Sequence, residues 1–191
     1  MSRPKVNVEL ITERLLDDAE LMLRQNRGKQ LILSELARNA RMSQSNIHRF
    51  FPTKADLIRS LAKRWFEEIE NESRRIVDLK NSALQRLEEW VLTILHIKRE
   101  RYDSDPELFN AYLALSVDHM DILHHHTSRL HIDLKSIVAD IVSSDMLEAT
   151  VALIEDVTLL FRTPQNIAKY RNLATDERAQ AVIKLISVAL R

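Results

Sequence analysis

One glycine and four prolines in 191 residues leave this chain little with which to turn a strand back on itself. Two-residue hairpins favour left-handed backbone, hence Asn-Gly, Asp-Gly or Gly-Gly, and none of these pairs occurs. An all-α fold is therefore expected, of one or two small domains with a true core. The absence of cysteine excludes disulfides, thiolate metal sites and cysteine nucleophiles, and fits a reducing compartment. No apolar run reaches the roughly 18 residues of a membrane span, and the leading MSRPKVNVELITERLL lacks the apolar stretch of a signal peptide. A soluble, unprocessed, cytoplasmic protein is the expectation.

About nine helices can be read from stripes and caps. Val8, Ile11, Leu15, Ala19 and Met22 recur at three- and four-residue steps, predicting a helix from Val8 to about Asn26. Gly28 falls just past its end, where a left-handed residue is wanted. A second helix turns Leu33, Leu36, Ala37 and Ala40 inward, and Ser43 caps a third from Gln44 to about Phe50. Thr53 and Asp56 form a capping box opening a fourth helix that buries Ile58, Leu61, Trp65 and Ile69 and runs on towards Asp78. Further starts are expected at Ser82 with Gln85, at Asp105 with Pro106, at Asp145 with Glu148, at Thr163 and at Thr175, around one long helix or two shorter ones over 117–143. The boundary between the halves is expected inside the fourth helix rather than in a linker, dividing the chain into 1–65 and 66–191.

The formal net charge is zero, but it is unevenly spread. Residues 1–64 hold 13 Lys/Arg against 7 Asp/Glu, whereas residues 65–191 hold 15 against 21. A basic end on an acidic body suits a protein that meets phosphates at one end only. Within the basic end, two short helices joined by a tight turn describe a helix-turn-helix, whose second helix lies in the DNA major groove. Gln44, Ser45 and Asn46 sit where base edges would be read, since Gln and Asn pair bidentately with adenine and Ser bonds several edges. Ile47 and Phe50 or Phe51 face back to the core. The start of the fourth helix, with Lys54, offers a phosphate contact that positions the protein without reading sequence.

Leu36 to Leu57, LARNARMSQSNIHRFFPTKADL, resembles the DNA-binding domain of the TetR family of bacterial transcriptional regulators. The family pattern reads roughly I-A-x-x-A-G-V-S-x-x-x-[LIV]-Y-x-[HYF]-F-x-[STN]-K-x-x-L. Leu36, Ala37, Ala40, Ser43, Ile47, Phe51, Pro52, Lys54 and Leu57 match it, with Thr53 a close substitute. Residues 8–65 are covered by the resemblance; the rest agrees in length, helix content and helix order. It implies a DNA-binding domain at 1–65 and a helical effector-binding and dimerisation domain at 66–191. The DNA-facing residues would be Ser43, Gln44, Ser45, Asn46, His48, Arg49, Thr53 and Lys54. Two positions depart from the pattern. Arg41 stands for the turn glycine, a costlier residue wherever φ is positive. His48 stands for the phosphate-contacting tyrosine, and its charge depends on pH near neutrality. These departures support the alternative of a helical effector-binding or protein-interaction module without sequence-specific DNA binding.

Five histidines at 119, 124, 125, 126 and 131 are not spaced three or four apart, as a metal pair on one helix face would be, so solvated or capping roles and no metal are expected. Trp90, Tyr102, Phe109, Tyr112 and Met120 either line an effector cavity or are plain core. The segment 145–161 and the closing RAQAVIKLISVALR are apolar around most of their circumference, which suggests a four-helix subunit interface. Leu147, Val151, Ile154, Val182, Leu185 and Ile186 are its candidates, and the resemblance implies dimerisation through the last two long helices. No Gly-rich phosphate loop, H-E-x-x-H or G-x-S-x-G is present, so no enzyme and no cofactor are expected. The expected partners are double-stranded DNA, a second copy and a small-molecule effector, with no membrane.

Overall fold

The computed structural model describes residues 8–28 and 31–190; the first seven, read above for a leader, lie outside them. Among the described residues there are eleven helices and no strand, two more helices than expected. They form two compact units, Met1–Trp65 with Glu107–Ile122, and Phe66–Pro106 with Leu123–Arg191. One division falls at 65/66, and residues 107–122 group with the N-terminal unit.

The first unit opens with α1 (Val8–Gln25), whose Leu15, Leu16, Ala19, Met22 and Leu23 are buried. The helix ends in two left-handed residues, Arg27 (φ 51°) and Gly28 (φ 76°). Arg27, not the glycine, takes the first of these positions. Gly28 is needed for another reason: a Cβ there would stand 2.4 Å from the carbonyl oxygen of Ala111. Two helices follow, α2 (Leu33–Asn39) and α3 (Gln44–Ile47), the latter shorter than its pattern suggests. The long α4 (Lys54–Val77) gives its first half to this unit and its second half to the other. Buried Leu57, Ile58 and Leu61 on α4 join the core with Leu108, Ala111, Tyr112 and Leu115 of α6 (Pro106–Asp118). Trp65 stacks on Tyr112 at 4.0 Å and meets Phe109 edge-on at 6.1 Å. Arg64 binds Asp17 at 2.8 Å and Glu20 at 2.6 Å, tying α1 to α4.

The second unit is built on α5 (Ala83–Ser104), opened by the expected Ser82–Gln85 capping box. Its Leu87, Trp90, Val91, Ile94 and Leu95 are buried with Leu130, Leu134, Ile137 and Val138 of α7 (Met120–Ala139). The indole N–H of Trp90 donates to Ser73 (2.8 Å), and the Ser73 hydroxyl donates to Asp133 Oδ2 (2.7 Å), so these three buried atoms are paired. The apolar segment after Asp145 is not one helix. It comprises α8 (Leu147–Val157) and α9 (Leu159–Arg162), with the buried Thr158 between them, its hydroxyl donating to the Ile154 carbonyl at 2.6 Å. Met146, not Asp145, occupies the N-cap of α8, without a side-chain bond. The short α10 (Pro164–Lys169) leads to α11 (Asp176–Ala189), which Thr175 caps as expected. No described helix is long and apolar enough to cross a membrane.

Candidate nucleic-acid interface

The α2–α3 turn is closed by backbone bonds alone. Arg41 lies at φ 54°, its N–H donates to Arg38 (3.1 Å), and the next N–H, of Met42, donates to Ala37 (2.8 Å). That is the paired bond pattern of a Schellman ending. An arginine therefore adopts the conformation that glycine would take more cheaply.

Ser43 then caps α3, its hydroxyl accepting the Asn46 N–H at 3.2 Å and lying 3.1 Å from the Ser45 hydroxyl. Ile47 and Phe51 are buried and pin the segment, with Phe50 half-buried beside them. This leaves Gln44, Ser45, His48 and Arg49 exposed on the outer side and Asn46 half-buried. Thr53 and Asp56 complete their reciprocal cap: the Thr53 N–H donates to the Asp56 carboxylate (3.0 Å) and the Asp56 N–H to the Thr53 hydroxyl (3.2 Å). The Thr53 hydroxyl bond holds the Asp56 carboxyl below its ordinary value. Ser43 and Thr53 thus shape the backbone, whereas the exposed Gln44, Arg49 and Lys54 have side chains available to a partner. The sequence alone could have separated these roles, since both caps are written in it.

His48 has a fixed orientation. Its Nδ1 lies 3.0 Å from the Pro52 carbonyl, which can only accept, so Nδ1 carries a hydrogen. The neutral ring then presents Nε2 as an acceptor, and only the protonated ring donates from both nitrogens.

The other candidate sites are rearranged. Trp90 is fully buried in the second unit, Phe109 and Tyr112 are buried in the first, Tyr102 is half-buried, and Met120 is 61% exposed. The expected solvated histidines include one core residue: His126 is buried, stacked on Phe66 at 3.9 Å and 2.9 Å from Glu70. Burial, with Lys98 and nearby arginines, pushes it down to about 3. Among the described residues no cluster suits a metal. Of the interface candidates, Val151, Ile154 and Ile186 are buried within the protomer and Leu147 and Val182 are half-buried, because these sides of α8 and α11 face their own core. Leu185 is 72% exposed, and Leu153, Val157 and Val188 are further large apolar side chains of α8 and α11 left outward.

No curated protein matches the chain significantly. Residues 83–183, more than half of the chain, match the tetracyclin repressor-like C-terminal domain, a match that lies outside the helix-turn-helix and so supports independently what that motif suggests. The chain belongs to the TetR family of transcriptional regulators.

Proposed function

We propose that this protein is a homodimeric one-component repressor that binds a near-palindromic operator in the cytoplasm and leaves it when a small molecule binds the second unit. The observation that carries the reading is the helix-turn-helix itself: a turn closed despite Arg41, a recognition segment pinned by Ile47 and Phe51, and an outer face of Gln44, Ser45, His48 and Arg49. Gln44 and Asn46 read base edges. Lys54, at the N-terminus of α4, binds a phosphate with help from the helix dipole. Two such helices related by a dimer axis would meet half-sites about one DNA turn, ~34 Å, apart.

Release would act through α4, which contributes residues to both units. A ligand shifts such an equilibrium only by binding one state better than the other. The test is selection of sites from randomised duplex DNA, followed by binding of the winner across a salt series. A near-palindromic site with a steep salt slope is expected, because several phosphates are neutralised. Folded, dimeric protein that enriches no site, with or without added metabolites, would favour the module without DNA binding.

A further inference from the structure

Three histidines of the second unit each face a carboxylate. His96 meets Asp176 at 2.8 Å, His126 meets Glu70 at 2.9 Å and His131 meets Glu155 at 3.1 Å. His48, in the first unit, has only the Pro52 carbonyl, 3.0 Å from Nδ1, and is exposed on the outer side of the α2–α3 turn. A carbonyl oxygen can only accept, so Nδ1–H is engaged and every further bond of the ring falls to Nε2. In the neutral ring Nε2 offers a lone pair, which a phosphate oxygen repels. In the protonated ring it offers an N–H and a share of a full positive charge, which a phosphate oxygen accepts. While the Pro52 bond stands, no neutral form of His48 can donate from Nε2.

The charged groups beside α3 are few. On α2, which packs against it, Glu35 is engaged by Arg38 at 3.2 Å. At the start of α4, Asp56 is engaged by Arg59 at 2.9 Å. Arg41 in the turn, Arg49 next to the ring and Lys54 beyond the proline complete the set, all three exposed cations. Both carboxylates are thus engaged elsewhere. The negative charge that pairs with a His48 imidazolium must come from a partner.

We propose that His48 is a proton-linked phosphate contact. As duplex DNA arrives, Nε2 takes a proton from solution, one per protomer, and hydrogen-bonds through it to a backbone phosphate oxygen, so affinity for DNA falls as pH rises. This rests on the DNA-binding reading and deepens it by giving that reading a pH dependence. An opposite charge within about 4–6 Å favours the ionised form of a titratable group. By linkage, proton uptake at His48 then favours DNA binding to the same degree that DNA binding favours proton uptake. The competing role is purely structural, with the ring closing the end of α3 as its C-cap residue and taking no part in DNA binding.

The test is fluorescence anisotropy of the full chain on one mixed-sequence duplex, at constant low salt, from pH 6 to pH 8. Wild-type affinity should fall by about tenfold per engaged protomer across that range, where histidine side chains change charge. Calorimetry at pH 7 in two buffers of different ionisation enthalpy should show protons taken up on binding. His48→Gln, checked for folding by its Tm, should lose most of the pH slope and of the proton uptake. His48→Tyr, whose hydroxyl donates without taking up a proton, should lose the slope as well and bind more tightly than wild type at pH 8. If one variant misfolds, the other carries the comparison. Wild-type binding that does not vary with pH, or a slope that His48→Gln and His48→Tyr keep in full, would overturn the proton link and leave the capping role. Folded wild type that binds no duplex at any pH would overturn the DNA-binding reading itself, a result distinct from binding that ignores pH.

Discussion

Arg41 and Gly28 show how much a single backbone angle weighs. Both have positive φ, yet only Gly28 also faces a close backbone, the Ala111 carbonyl. A non-glycine residue in the left-handed region costs about 1 kcal/mol. Arg41→Gly should therefore raise unfolding free energy by about 1 kcal/mol in urea denaturation and leave DNA affinity unchanged. A loss of stability would mean that the arginine side chain stabilises the turn. His126 makes a second claim at this scale. Its native imidazole resists protonation down to about 3, against 6.5 when free. Between those values the unfolded chain binds the extra proton and the native chain does not, so stability rises with pH across the window and is lost as pH falls through it. Glu70, whose carboxyl is raised by burial, opposes the effect, because its native form takes up a proton earlier. Urea midpoints at pH 7 and pH 5 should differ more for the wild type than for His126→Leu; equal differences would show that another group governs the acid limb.

At the scale of elements, the proposed function has α3 read bases and the start of α4 anchor a phosphate. Lys54→Ala should weaken binding about equally on every duplex and reduce the salt slope by about 1, whereas Gln44→Ala should change which bases are preferred. Fluorescence anisotropy over a panel of duplexes separates the two, and a base-preference change on Lys54→Ala would move recognition elsewhere. These elements were legible because their caps lie within three residues of the helices they start: Ser43, Thr53 with Asp56, Ser82 with Gln85, and Thr175. The break between α8 and α9 was not. Nothing local forbids Thr158 from continuing the helix, and its hydroxyl takes the Ile154 carbonyl where Arg162 also bonds it.

For the whole molecule, the proposed homodimer raises the question of which apolar residues of α8 and α11 would meet a partner. Leu185 and Val188 on α11, and Leu153 and Val157 on α8, are exposed, while Val151 and Ile154 complete the protomer's own core. Leu185→Glu should convert the dimer to folded monomer in sedimentation analysis and weaken operator binding, with protomer stability changed by no more than about 0.5 kcal/mol. Val151→Glu should instead prevent folding, since it buries an unpaired carboxylate. If Leu185→Glu stays dimeric, the interface lies on another face.

The sequence by itself determined most of the helices and of their caps, and the two short helices around the α2–α3 turn with their outward polar residues. Those features depend on periodicity and on capping residues that stand beside the helices they start. Only the tertiary structure decided that Trp90 packs apart from Phe109 and Tyr112, that His126 is a core residue, and which side of each terminal helix faces inward. A helix apolar on nearly every side carries no local mark of orientation. Its inward face is chosen by distant residues such as Trp90, Leu134 and Ile94, which bury it.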